Sequence, residues 1–175
     1  MKKNTKNTAY FLFGFFITVL IVSLFRAIHI STKELSTNLL SRTNVVELTN
    51  DSRRSQRLKL LKNSKKLAAA AQKKAEDMLK NQYFDHVSPT GKKAWDFMNE
   101  TKYLYLYAGE NLALNYTSPQ AVTEGWMASP THRANILSPD YTEIGVGSVH
   151  GKYRGVDATF IVQMFGKPLS GGILR

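Results

Sequence analysis

The chain has 175 residues and no cysteine, and its 24 Lys and Arg residues outnumber its 13 Asp and Glu residues, for a formal net charge of +11. This length is typical of one domain with an appendage, and the lack of cysteine excludes disulfides, thiolate metal sites and a cysteine nucleophile. Residues 1–80 hold 16 basic and 5 acidic residues, whereas residues 81–175 hold 8 of each. Because the second part is electrically neutral, the sequence argues against a nucleic-acid partner bound there.

A cationic start and an apolar run open the chain. Lys2, Lys3 and Lys6 precede Ala9–Phe25, in which nearly every side chain is apolar. As a helix this run covers about 25 Å, and the residues up to Ile30 extend it toward the ~30 Å core of a bilayer. No small-residue cleavage site follows, which favours an uncleaved signal anchor over a cleaved signal peptide. We therefore expect three segments before the folded domain: a cytoplasmic tail (1–8), a transmembrane helix (9–30) and a polar stalk (31–43).

Two helices are predicted after the stalk. Asn44 and Glu47 have the spacing of a capping box, which predicts a first helix from Asn44 to about Gln56. A second helix is expected from about Ser64, since apolar residues recur there every three or four positions and lysines take much of the other side. Those lysines are Lys65, Lys66, Lys73, Lys74 and Lys80.

The basic residues of these two helices have two interpretations. They could attract anionic lipid headgroups or an anionic envelope polymer close to the anchor. A solvated helix face is the favoured interpretation, because no aromatic residues alternate with the charges. Arg53 and Lys74 are both counted in this exposed set.

The second half predicts short helices followed by strands. Ser118–Pro119 is a helix start signal ahead of Gln120–Ala128, and a further short helix is expected at His132–Leu137. Strands are expected at Glu143–Val149 and Ala158–Phe165, joined by a loop at residues 150–155. Tyr103–Tyr107 alternates with the period of a strand but is left open. Early helices, late strands and no repeating βα unit predict an α+β fold with a small antiparallel sheet.

Four segments together carry a family resemblance: Tyr83–Gly91, Gly109–Ala113, Trp126–Leu137 and Tyr141–Gly147. In combination they resemble the CAP superfamily (cysteine-rich secretory, antigen 5 and pathogenesis-related-1 proteins) in its cysteine-free bacterial form. The resemblance covers residues 44–167 and leaves 168–175 as a C-terminal tail. It implies a three-layer α-β-α sandwich and export, so the domain is expected outside the cell membrane, with a single pass at the anchor.

Spacing alone says little about the histidines, because His86 and His132 match no metal-binding motif. The resemblance implies that His86, Glu110 and His132 meet on the floor of a cleft. The family's second glutamate falls on Ser129, and Glu124 is a candidate replacement. The predicted cleft residues are His86, Glu110, Asn111, Ser129 and His132, with His86 and His132 as candidate ligands of a divalent cation such as zinc and Glu110 and Glu124 as candidate catalytic groups.

Two functions follow from this site. The favoured one is a membrane-anchored extracellular module whose cleft binds a peptide, glycan or lipid-like ligand, because a missing acid weakens the case for catalysis. The alternative is a metal-dependent hydrolase of peptide or cell-envelope substrates, with Glu110 as its base. A serine hydrolase at Ser129 is disfavoured, since no Gly-x-Ser-x-Gly elbow surrounds it. Asn111 and Asn135 are expected to be buried amides, and Trp126, Ile136, Leu137 and Phe160 to be core residues.

Overall fold

A computed structural model describes residues 42–169, which all belong to one compact unit, Leu40–Arg175. The predicted cytoplasmic tail and anchor, the stalk up to residue 41 and the final residues 170–175 lie outside the described part. Across residues 42–169, none of the helices has both the length and the hydropathy that crossing a bilayer requires.

The described chain forms five helices and four strands. Helix α1 covers residues 42–55. The remaining elements, in order, are β1 (Lys62–Asn63), α2 (Lys65–Lys80), α3 (Ala94–Glu100), β2 (Tyr105–Leu114), α4 (Pro119–Ala128), α5 (Pro130–Leu137), β3 (Glu143–Tyr153) and β4 (Val156–Pro168).

The sheet has the order β1-β3-β4-β2 and is mixed. Strands β3 and β4 form an antiparallel hairpin, and β2 pairs antiparallel with β4. Strand β1 runs parallel to β3, with Lys62 opposite Glu143. The prediction of a purely antiparallel sheet is therefore wrong, because the long connection from β1 to β3 allows a parallel pairing. Both residues of β1 are exposed, so no apolar pattern marked it as a strand.

Strands β3 and β4 are longer than the sequence predicted. The β3–β4 hairpin turns on Arg154 and Gly155, whose φ angles of 50° and 85° suit a tight hairpin turn. Most of the predicted loop at residues 150–155 is therefore strand. The open question at Tyr103–Tyr107 is also resolved, because β2 starts at Tyr105 and continues through Gly109–Ala113.

Helices cover both faces of the sheet, so the domain has three layers. On β4, Phe160, Val162 and Met164 pack with the buried faces of α2 and α3. The alternate residues Ile161 and Phe165 pack on the other side, in a cluster with residues of α1, α4 and α5. The period of two along the strand sends successive side chains into the two apolar clusters.

Close packing fixes α2 on β3. A Cβ atom added at Gly147 would overlap the backbone nitrogen of Gln72, and one at Gly145 would overlap that of Ala68. Only glycine lets the helix backbone lie this near the strand. The position of α2 matters because it carries a residue of the functional site.

Three expectations about the basic helices need correction. Asn44 is not a helix cap, since α1 already includes residues 42 and 43 and a cap lies outside the helical conformation. Arg53 is fully buried rather than solvated, and it donates hydrogen bonds to the backbone oxygens of Lys59, Ile136 and Ser138, at 2.8–2.9 Å. Lys74 is fully buried too. Both charges are buried because backbone carbonyls, which the sequence does not show, accept their hydrogen bonds.

Candidate functional site

Glu110 lies on β2, at the edge of the sheet opposite β1. It is paired across the sheet with Met164, and its side chain is only 3% exposed. The alternation of the strand places it on the same face as Leu112, which packs in the cluster of α2 and α3. The sheet therefore presents a buried carboxylate toward the segment that follows α2.

His86 contacts this carboxylate directly. Its Nδ1 donates a hydrogen bond to Oε2 of Glu110 at 2.6 Å, while its side chain stays 59% exposed. This hydrogen bond is the largest cause that raises the pKa of His86, and partial burial opposes it. Since Nδ1 faces the carboxylate, the other ring nitrogen, Nε2, is left for a ligand.

Lys74 holds the segment that carries His86. Its ammonium donates to the backbone oxygens of Asp85 and His86, at 2.8 and 3.2 Å, and to the hydroxyl of Tyr83 at 3.1 Å. Burial lowers the pKa of Lys74, and the charge of Glu110 opposes that shift. Sequence reasoning missed this residue, although Ala71, Lys74 and Met78 follow the apolar spacing of the helix, which is a signal for its burial.

Two amides, Asn111 and Asn135, join β2 to α5. Asn111 is buried as predicted, whereas Asn135 is half-buried and lines the pocket described below. Asn111 donates to the backbone oxygen of His132 at 3.1 Å and to the side-chain oxygen of Gln163 at 3.0 Å. Asn135 donates to the backbone oxygen of Glu110 and to the side-chain oxygen of Asn111. These bonds fix α5, and with it His132, beside the strand that carries Glu110.

His132 is half-buried on α5, and its pKa is shifted in the direction opposite to that of His86. Burial is the main cause that lowers the pKa of His132, and the charge of His86 lowers it further. The two shifts favour a neutral His132 and a His86 that retains its proton more readily.

A pocket of about 260 Å³ opens beside the His86–Glu110 pair. Its lining consists of His86, Val87, Lys93, Ala94, Trp95, Glu110 and Asn135. Sequence reasoning did not single out Lys93 or Trp95, because they belong to no motif and reach the pocket only through the packing of α3 and its N-terminus. Val87 lies in the segment Tyr83–Gly91 but was not predicted to line the cleft.

The other predicted cleft residues lie outside this lining. Glu124 is exposed on α4, and Ser129 is half-buried at the start of α5, with its hydroxyl 3.4 Å from that of Thr131. Asn111 is fully buried. The structure thus brings His86 and Glu110 together at the pocket and fixes the backbone of His132 to Asn111 on β2. It does not bring Glu124 or Ser129 to the pocket.

The donor set for a metal ion is small. Between residues 42 and 169 there is no group of three or more His, Asp and Glu side chains arranged to hold a metal. Catalytic zinc sites use three protein ligands and one open position. His86 and His132 supply two imidazoles, and Glu110 has one oxygen engaged by His86, so these residues do not fit such a centre.

The fold and site define a class of protein. The sequence model of the cysteine-rich secretory protein family (CAP) matches residues 46–165, so this chain belongs to the CAP family. The resemblance that the four sequence segments indicated is thereby confirmed.

Bacterial relatives share this domain. The chain is 46% identical over 105 residues to the uncharacterised protein YkwD of Bacillus subtilis (strain 168). The aligned segment is 60% of this chain and 41% of YkwD. The chain is 39% identical over 113 residues to the uncharacterised membrane protein YlbC of the same organism, covering 65% of this chain and 32% of YlbC. The chain therefore matches less than half of either relative.

A solved structure agrees with the fold. An extracellular protein containing an SCP domain from Bacillus anthracis str. Ames superimposes with a TM-score of 0.66 at 32% identity. The match covers 74% of this chain and 41% of that one.

Proposed function

We propose that this protein is a CAP-domain binding protein that acts outside the cell membrane and takes a peptide, glycan or lipid-like ligand in the pocket beside His86 and Glu110. One observation carries the proposal: a buried carboxylate fixes an exposed imidazole at the wall of an open pocket. Pockets that combine apolar walls with a few oriented polar groups are typical ligand sites.

Binding fits the geometry better than catalysis by Glu110. The Glu110 side chain is almost inaccessible, and its Oε2 already accepts the hydrogen bond from His86. A general base must reach the proton that it removes, within about 3 Å or through one water. Glu110 is instead placed to orient His86, which then presents Nε2 to a ligand.

The location rests on the N-terminal sequence and on the relatives. Residues 9–30 are apolar enough to anchor the chain, YlbC is described as a membrane protein, and the Bacillus anthracis protein as extracellular. The exposed cations Arg57, Lys59, Lys62, Lys65 and Lys66 lie in the basic part of the domain. They support an additional attraction to an anionic envelope polymer or lipid near the anchor.

A ligand panel tests the proposal. The full chain in phospholipid nanodiscs is titrated with short peptides, sugars and fatty acids while NMR follows the backbone amides of residues 86–88, 90–95, 110 and 135. We expect one ligand class to shift these signals and Glu110→Gln to weaken that effect. Glu124→Gln removes the same charge from an exposed position and should leave it unchanged. If no class shifts the pocket signals, or both variants behave alike, the proposal is wrong.

A metal-dependent hydrolase is the second candidate. One observation favours it: Glu110 orients His86 through Nδ1, as carboxylates commonly orient metal-binding histidines through the ring nitrogen that does not bind the metal. The donor set described above stands against it, because within residues 42–169 it falls short of three protein ligands. Metal analysis of the purified chain, together with turnover on peptide and envelope substrates, tests it. Suppose that the wild type holds stoichiometric metal and turns over a substrate, and that the His86→Ala, His132→Ala double variant loses both properties. The hydrolase would then replace the binding proposal.

A further inference from the structure

We infer that the pocket selects a sugar ring that carries an anionic substituent, with Trp95 as the stacking surface and Lys93 as the partner of the anion. This inference rests on the proposed function, because it names the ligand of the same pocket. It uses two residues of the pocket lining that the sequence did not single out.

Trp95 supplies the stacking surface. The chain has two tryptophans, and the structure treats them differently. Trp126 is 2% exposed in the core, where its indole N–H donates to the backbone oxygen of Leu112, whereas Trp95 is 42% exposed and lines the pocket. An indole left in solvent at a pocket rim offers a flat apolar face, onto which the C–H face of a sugar ring packs.

Lys93 supplies the charge. Across residues 42–169 its side chain forms no ion pair, whereas its neighbour Lys92 pairs with Glu100. Glu110 is the acidic residue of the pocket lining, and it is buried against His86. Asp96 accepts the backbone N–H of Lys93 at 2.7 Å but forms no ion pair with its ammonium within residues 42–169. The exposed ammonium of Lys93 therefore remains available in the pocket lining, where it favours an anion.

The size of the pocket limits the ligand. Its volume of about 260 Å³ lies below the roughly 300–1,000 Å³ of sites for drug-sized molecules. One ring with a short charged group fits this volume better than a long acyl chain or an extended peptide. Size, aromatic surface and charge thus point to the same chemical class, an acidic monosaccharide unit.

A matched pair of sugars tests the inference. N-acetylmuramic acid and N-acetylglucosamine share one ring and differ by a carboxylate-bearing lactyl group. The full chain in nanodiscs is titrated with each, and NMR follows the indole N–H of Trp95 and the amide of Asn135. We expect the acidic sugar to bind about tenfold more tightly, the value of one charge-assisted hydrogen bond. Octanoate serves as the acyl-chain comparison and should bind more weakly.

Variants separate the two contacts. Lys93→Gln should reduce the affinity for the acidic sugar to that for the neutral one, whereas Lys80→Gln, the same charge change at the end of α2, should not. Trp95→Ala should abolish binding of both sugars, and Trp95→Phe should retain part of it, which guards against a folding defect.

The outcomes distinguish this inference from the proposed function. Equal affinities for the two sugars, no effect of Lys93→Gln, or tighter binding of octanoate would overturn the inference. If neither sugar binds while another ligand class shifts the pocket signals, the inference fails and the binding function stands. If no probe of any class shifts them, both fail.

Discussion

Replacing Lys74 with methionine tests how the site is held together. Methionine keeps an unbranched, apolar side chain of similar length but removes the ammonium group. That group donates to Tyr83 and to the backbone oxygens of Asp85 and His86. Without it, two carbonyls of the segment that carries His86 lose their partner in partly buried hydrogen bonds. We therefore expect Lys74→Met to damage both stability and the position of His86.

The size of the stability effect follows from these bonds. Leaving one buried acceptor unsatisfied costs about 1–3 kcal/mol, and removing a buried charge returns part of its desolvation cost. We expect Lys74→Met to lower the free energy of unfolding by about 2–4 kcal/mol, measured by urea denaturation. Lys73→Met is the control: Lys73 is exposed and pairs with Glu100, so its loss should cost less than about 1 kcal/mol.

A second measurement separates positioning from simple packing. The charge of Lys74 lowers the pKa of His86, while the hydrogen bond to Glu110 raises it more strongly. If Lys74 positions His86, the variant weakens that hydrogen bond and the pKa of His86 falls toward its ordinary value. If Lys74 only fills space, the loss of a nearby positive charge raises the pKa instead. A rise in an NMR titration, or a stability equal to that of Lys73→Met, would refute the reasoning.

Three other predictions concern pH and backbone packing. The wild type should exceed His86→Ala in free energy of unfolding most clearly below about pH 6.5. The difference should shrink as pH rises through the raised pKa of His86, because the neutral ring can still donate to Glu110 but no longer carries the positive charge that strengthens the bond. A difference constant in urea unfolding from pH 5.5 to 9 would contradict this. Gly147→Ala should lower the free energy of unfolding by about 3 kcal/mol or more, because the added methyl group overlaps α2. Gly155→Ala is the control: its φ is 85° and the space around it is open, so it should cost only about 1 kcal/mol. Equal losses in thermal unfolding would argue against close packing at Gly147. Arg57→Gly should raise the free energy of unfolding by up to about 1 kcal/mol, since Arg57 has a φ of 59° that glycine adopts freely. A loss of stability in the same assay would show that the contacts of the arginine side chain stabilise the fold by more than the strain of its positive φ destabilises it.

Local sequence patterns predicted most elements of the fold. The apolar spacing of α2, the Ser118–Pro119 start of α4 and the alternation along β4 all depend on neighbouring residues, and the structure agrees with each. Ser118 does cap α4, since its hydroxyl accepts the N–H of Ala121 at 3.1 Å. Strand β1 could not be predicted in this way, because two exposed residues carry no periodicity and their pairing with β3 is a long-range contact.

The burial of two cations depended on distant parts of the chain. Arg53 is stabilised by the backbone oxygens of Ile136 and Ser138, more than 80 residues away. Composition makes a lysine or arginine on a helix look solvated, and only the acceptors that surround it reverse that expectation. For the same reason, charge counts overstate the exposed basic surface of the first two helices.

For the pocket too, local motifs predicted some residues, while others depended on how distant parts of the chain pack. Motifs around His86 and Glu110 drew attention to residues that the structure places in contact. Trp95 and Lys93 were missed because their role depends on where α3 packs, and Glu124 was considered only through its nearness in sequence to Trp126. A residue's distance along the chain from a motif is a weak guide to its distance from the site.

The energetic cost of burying the Glu110 carboxylate indicates that the orientation of His86 serves the function of the site. The structure buries both the Glu110 carboxylate and the Lys74 ammonium, each of which is hydrogen-bonded to His86. Oε1 of Glu110 has no hydrogen-bond partner among residues 42–169. Apolar residues of similar volume commonly stabilise a fold as much as buried ions do, or more. A buried oxygen without a hydrogen-bond partner adds a further cost of about 1–3 kcal/mol. An arrangement with these costs at a pocket wall is typical of a functional site. Since Glu110 is itself almost inaccessible, the group that can act on a ligand is the ring of His86, which Glu110 and Lys74 hold in place from opposite ends of the residue.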